Sequence, residues 1–215
     1  SKSKGNFLLA DQYAAELKSD FLRYYLSSEM TNKIDDIDFN LEDFQKKVNT
    51  DLVGKFINIA SRVQKFLKSN GNRIGSELDE KIVDSFRNET SAIFSDYVTL
   101  DYSNAIKKIM KLADSANQYI DHNQPWVLAR EKVNEKEVIK ISSTGMNLFR
   151  ILNICLEPII PETTSKIKLY LNLEQDNLEN LESSIKNHEI QNFKPLIERI
   201  EDEKIENLTE VSKSG

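Results

Sequence analysis

Asn58 and Arg62, four residues apart, carry the most specific chemistry in this sequence. On a helix two such residues are neighbours. An amide that donates and accepts then stands beside a guanidinium that offers a planar fork of donors and a stacking surface. That pair suits the edge of a planar polar group such as a base, and the plain alternative is two solvated surface side chains. Trp126, the single tryptophan, follows Pro125 where a helix should start, since proline suits a first turn. An indole there is either core or a platform for an unstacked base. From Gln45 to Arg73 the basic residues Lys46, Lys47, Lys55, Arg62, Lys65, Lys68 and Arg73 face Asp51 alone. Among them Lys55, Lys65 and Lys68 are candidate phosphate contacts, acting as point charges. Asp114 and Asp121, seven apart on one helix face, could repel ligands of the wrong pattern.

Other groupings carry less. Asp35, Asp36 and Asp38 are close together, but no histidine and no glycine loop of EF-hand spacing accompanies them. They read as surface acids and caps, and no metal site is expected. His122 and His188 are the only histidines, which leaves histidine catalysis little to draw on. The lone Cys155 sits in the apolar run Ile151-Leu152-Asn153-Ile154-Cys155-Leu156. It reads as a buried thiol in a reducing compartment, so a cytoplasmic protein is expected.

The net charge of −6 over 215 residues hides a split. The basic stretch is locally positive, whereas Glu174 to Glu210 holds eleven acids against Lys186, Lys194, Arg199 and Lys204. Such asymmetry marks a local electropositive surface or a merely solvated face. No apolar run approaches the roughly 20 residues of a membrane helix, and no membrane partner is expected.

The elements that must position these residues are mostly helical. The first forty residues read as a connector of some α/β character. In it Asp11 and Asp20 cap short helices and Ile34 to Phe39 is extended. Leu41, Phe44, Val48, Leu52, Phe56, Ile59, Val63 and Phe66 then place one apolar stripe along a single long helix. Asn70-Gly71-Asn72 ends it. Ser76 and Asp101 should cap two further helices, Pro125 starts another segment, and a long helix runs from about Glu135 to Glu157, bounded by Pro158 and Pro161. A shorter helix follows to about Leu171. The expected fold is all-α, an antiparallel helical bundle of about five helices over 41–215 behind a small α/β connector over 1–40.

Four stretches, in order, resemble methionyl-tRNA synthetases. Ser1-Lys2-Ser3 is similar to the end of the Lys-Met-Ser-Lys-Ser loop of class I aminoacyl-tRNA synthetases, with Gly5, Asp11 and Leu22-Arg23-Tyr24-Tyr25 following at that family's distances. Ile34 to Phe44 resembles the passage from connector to bundle. Asn58 and Arg62 match an Asn-x-x-x-Arg pair in the first bundle helix, and Pro125-Trp126 matches a pair whose tryptophan stacks on the first anticodon base. Phe193 to Glu201 resembles the segment that returns towards the catalytic domain, so the likeness spans nearly the whole chain.

The resemblance implies recognition of the CAU anticodon loop of methionine tRNA by Asn58, Arg62, Pro125 and Trp126. It implies contact of Ser1, Lys2 and Ser3 with ATP in a parent methionine–tRNA ligase. That parent would use ATP and Mg, and the catalytic domain of the same protein would be a partner. The sequence begins inside the loop, so no bound cofactor and no activity are expected of this piece alone. Two rivals stay open: the bundle of a valyl-, leucyl-, isoleucyl- or cysteinyl-type synthetase, and a helical scaffold binding a protein through its acidic C-terminal stretch. The combination of Asn58, Arg62 and Pro125-Trp126 favours the methionyl family over the first.

Overall fold

The chain is described as a computed structural model covering residues 17–33, 36–37 and 39–213. Ser1, Lys2, Ser3, the helix expected after Asp11, and Ile34, Asp35 and Asp38 lie outside the described residues. Helix α1 (Ser19–Glu29) is the one regular element of the connector among those residues. Asp20 does not cap it. Its buried carboxylate instead accepts bonds from the backbone N–H and the hydroxyl of Thr163, both at 2.7 Å. It thereby closes the first turn of a distant helix whose N–H groups lack internal partners.

The long helix α2 runs without a break through Leu41–Lys47, Val48–Ile57 and Asn58–Ser69, and its middle stretch is π-helical. Asn40 caps its start by accepting from the Asp43 N–H at 3.0 Å. Its end is as expected: Gly71 (φ 71°) and Asn72 (φ 55°) adopt the left-handed backbone that stops a helix.

Beyond it come α3 (Glu80–Val98), α4 (Tyr102–Asn123), α5 (Pro125–Leu128), α6 (Glu135–Leu156), α7 (Pro161–Tyr170) and α8 (Asp202–Lys213). Strands β1 (Arg73–Ile74) and β2 (His188–Glu189) pair antiparallel, Arg73 opposite Glu189. Asp101 caps α4 as expected. Ser76 does not cap α3, which starts four residues later. Ser143 and Thr144 of α6 accept the N–H groups of Gly75 and Asp79 at 2.8 and 2.9 Å, holding that stretch extended.

Helix α6 forms the centre. Every residue from Ile141 to Leu156 is buried. Phe149 stacks on Phe56 of α2 at 4.8 Å, and a Cβ on Gly145 would meet Val63 of α2 at 3.1 Å, so α2 and α6 cross closely and run antiparallel. Several polar residues of α6 are buried too, and two of them hold irregular segments. Asn147 exchanges two bonds with the backbone of Ile185. Arg150, 4% exposed, makes a two-pronged pair with Asp176 at 2.7 and 2.8 Å, and Asp176 is equally buried. The same guanidinium donates to the carbonyls of Asn180 and Ser183. The acidic C-terminal stretch is thus ordered along the bundle. Its later part is clasped by Asn49 of α2, which exchanges two bonds with Ile200 at 2.8 and 2.9 Å.

Cys155 is buried, and burial pushes its thiol up to about 12. The folded chain should therefore resist a disulfide reagent at pH 8 and react once unfolded in guanidinium, because the thiolate is the attacking species. Arg150→Ala should lower the unfolding free energy by about 3–5 kcal/mol, since it strands a buried carboxylate. Urea melts of this variant, compared with the double variant Arg150→Met, Asp176→Leu, check it. The double change should cost much less.

Candidate functional site

The site forms where α2 and α4 run side by side in the same direction. Lys55, Asn58 and Arg62 meet Asp114, Asn117 and Asp121 at a constant sequence offset of 59. Lys55 pairs with Asp114 at 3.1 Å. The Asn58 amide donates to the Asn117 side-chain oxygen at 3.0 Å. Arg62 donates through Nη1 to the side-chain oxygen and the backbone carbonyl of Asn117, both at 3.3 Å, and through Nη2 to Asp121. The spacing follows from α2's close crossing over Gly145 of α6, which fixes how the helix presents these side chains.

Pro125 and Trp126 enter from the end of α4. Gln124 (φ 45°) takes a left-handed conformation that ends α4 and opens α5, with Pro125 in the first turn as expected. The turn buries Pro125 and leaves Trp126 36% exposed and Val127 exposed beside it. The Arg62 guanidinium lies over the Trp126 ring, 5.4 Å from its centroid. The four residues singled out for one site are therefore adjacent, and the indole is a surface plane rather than core. Such a cation–ring contact contributes about 0.5–1 kcal/mol at an exposed position.

The three candidate phosphate lysines separate. Lys55 is 30% exposed and committed to Asp114, so it is a strut between helices first. Lys65 and Lys68 are exposed further along α2, Lys65 with its ammonium 4.9 Å from the Phe66 ring centroid. Asp114 and Asp121 are both ion-paired rather than bare charges. Asn117 has no place in the reading from sequence. The available signal was its position three beyond Asp114 and four before Asp121, on the face those two share. On the other side of α4, Tyr119 donates to Asp79, which also pairs with Lys140 at 3.2 Å. Burial and this bond push the Tyr119 phenol well above its usual range, so it stays a donor and ties α4 to the start of α3.

Among the described residues no group of three or more His, Cys, Asp or Glu is gathered as a metal site. No helix among them is long and apolar enough to cross a membrane. What the site offers is a planar aromatic surface, hydrogen-bonding groups at its rim and cations nearby. Asp121→Ala should free Arg62 from its anchor and loosen it from the ring. The emission of Trp126, the single tryptophan, should then be quenched more steeply by acrylamide, with urea stability changed by less than about 1 kcal/mol, as for an exposed pair.

Comparison with known proteins matches the same regions. A family of class I tRNA synthetases (M) matches residues 1–64, and the anticodon binding domain of methionyl tRNA ligase matches residues 69–213. The methionine–tRNA ligases of Francisella tularensis subsp. tularensis strains WY96-3418 and SCHU S4 / Schu 4 are each 40% identical over 215 residues, 99% of this chain. The chain spans 32% of the length of those relatives. Among solved structures, the apo form of Mycobacterium tuberculosis methionyl-tRNA synthetase superposes with a TM-score of 0.80 at 18% identity, over 88% of this chain and 40% of that one. The same enzyme bound by methionyl-adenylate gives 0.77 at 19% identity, over 87% and 39%. At that identity the likeness speaks for the fold, an all-α bundle, and the sequence matches speak for the family: this chain belongs to the methionyl-tRNA synthetases, in the region of their anticodon-binding domain.

Proposed function

We propose that this chain binds the CAU anticodon loop of methionine tRNA, as the anticodon-reading part of a methionine–tRNA ligase. The observation that carries the reading is Trp126, an exposed ring bordered by Arg62 with Asn58 on the next turn. Single-stranded RNA loops are read by splaying bases out, stacking them on aromatic rings and bonding their edges. Trp126 is the stacking surface, on a turn fixed by Pro125. Asn58 and Arg62 are the edge readers. Lys65 and Lys68, exposed on the same helix, are the phosphate contacts, with Lys55 contributing mainly by holding α2 to α4.

In the parent enzyme the catalytic domain of the same protein joins methionine to tRNA at the expense of ATP, with Mg as its ion, in the cytoplasm. Ser1, Lys2 and Ser3 belong to the loop that meets ATP there. The acidic C-terminal stretch is engaged by Asn49, Asn147 and Arg150 within the chain, which argues against its serving mainly as a partner-binding scaffold.

Titrating a CAU anticodon stem-loop against Trp126 fluorescence, beside a stem-loop with a changed anticodon, tests the reading. CAU should quench the emission and bind more tightly, with affinity falling as salt rises because phosphate contacts release counterions. Trp126→Ala should cost about 1–3 kcal/mol of binding, the worth of one base stacked on an aromatic side chain. Equal, weak responses to both loops would count against it.

A further inference from the structure

We infer that Asn117 is a positioning residue that sets the direction of the Asn58 amide, and that it thereby makes the site select a base with an exocyclic amino group over one with a keto group. The inference rests on the anticodon reading proposed above.

The geometry leaves the amide little choice. Asn117 Nδ2 lies 2.9 Å from the Lys55 carbonyl and 3.0 Å from the Ala113 carbonyl. Both are acceptors only, so the atom facing them must be the NH2 group. The Asn117 oxygen is therefore turned outward, towards Asn58 and Arg62. An oxygen needs a donor, and Asn58 meets it at 3.0 Å with its own NH2 group. Two backbone carbonyls thus fix one amide, and that amide fixes the next. The Asn58 group directed away from Asn117 is its carbonyl oxygen, an acceptor.

Arg62 completes the pattern as a donor. Its bonds to Asn117 and Asp121 use Nη1 and one position on Nη2. The Nε–H and the second N–H of Nη2 have no protein acceptor among the described residues. A rim that accepts at Asn58 and donates at Arg62 matches an edge that donates from an amino group and accepts at the ring atom beside it. The Watson–Crick edges of cytosine and adenine have that order, whereas uracil and guanine present a keto oxygen beside a ring N–H. A keto base would set oxygen against the Asn58 oxygen. Were Asn58 free to turn over, it could donate instead, and the discrimination would be lost.

The test compares stem-loops with CAU and UAU anticodons, which differ at the first base by amino against keto, on the unaltered chain, Asn117→Ala and Asn58→Ala. The unaltered chain should favour CAU roughly tenfold or more, the worth of one correct edge contact. Asn117→Ala should bring that ratio towards one, chiefly by binding UAU relatively better. Adding Asn58→Ala to it should change the ratio no further. Equal weakening of both loops by Asn117→Ala, with the ratio kept, would show a merely structural role and overturn the inference. If the unaltered chain does not distinguish the two loops, the anticodon reading fails and this inference goes with it. A readout that needs no variant to fold is the side-chain amide of Asn58 in nitrogen-edited NMR of the unaltered chain. Its protons should exchange more slowly than those of exposed asparagines; exchange at the exposed rate overturns the inference.

Discussion

The constraint on which the rest depends is the register of α2 against α4. The two helices run parallel, and one offset serves three successive contacts, Lys55 to Asp114, Asn58 to Asn117 and Arg62 to Asp121. A slip of one residue would turn each α2 side chain by about 100° and break all three. The register is held from below. Gly145 lets α6 approach Val63, and Ile120 of α4 reaches the same glycine, so one small residue sets the spacing of three helices. Close packing of this kind tolerates little displacement, and the polar ladder on the surface inherits its precision from the apolar crossing beneath it.

The π-helical stretch Val48–Ile57 belongs to the same arrangement. A π-helix winds more widely than an α-helix, is rare at this length and tends to occur at functional sites. Here side-chain amides meet it at both ends. Near its start, Asn49 exchanges bonds with Ile200 of the C-terminal stretch. Near its end, the Lys55 carbonyl accepts from Asn117. Buried amides are costly when unpaired and stiffening when fully paired. The stretch is thereby pinned to the C-terminal segment on one side and to the site on the other. Helix α6 applies the same logic more widely. Its buried Ser143, Thr144, Asn147 and Arg150 spend their hydrogen bonds on segments that have no regular structure of their own.

Much of this was legible in the sequence, and the failures have a common cause. The stripe from Leu41 to Phe66, the stop at Asn70-Gly71-Asn72, the cap at Asp101 and the proline bounds of α6 and α7 are local signals, and the structure has each of them. Asn58 with Arg62, and Pro125 with Trp126, were legible as chemistry because each pair is local too. What brings the two pairs together is tertiary, as is everything that was misplaced. Asp20 reads as a cap and is one, but for a helix 143 residues away. Ser76 reads as a cap and is not, because two hydroxyls of α6 claim the backbone beside it. Asn147 and Arg150 carry no mark of burial in the sequence, since helical spacing cannot reveal that an irregular stretch of chain will cover them. The winding of Val48–Ile57 has no local signature, because the amides that hold its ends bond to residues 151 and 62 positions away.

The pairing of Arg62 with Asp121 bears on how such a site divides affinity from specificity. A bare guanidinium beside an aromatic ring would attract any phosphate, whatever the neighbouring base. With Asp121 already at its side, 62% exposed to solvent, much of that attraction is cancelled in advance. A ligand that offers only negative charge must compete with the carboxylate and gains little. A ligand that presents an acceptor in the plane of the remaining donors gains a hydrogen bond without displacing anything. On the proposed reading the carboxylate would suppress unselective attraction and leave the selective part intact, a route to specificity that weakens the wrong partner more than the right one. Lys65 and Lys68 have no ion pair among the described residues, and on the proposed reading they would supply the unselective share from further along α2, where attraction speeds encounter without choosing the base. Asp114 and Asp121 are therefore placed as fixed counter-ions rather than as bare charges, each paired with a cation of α2.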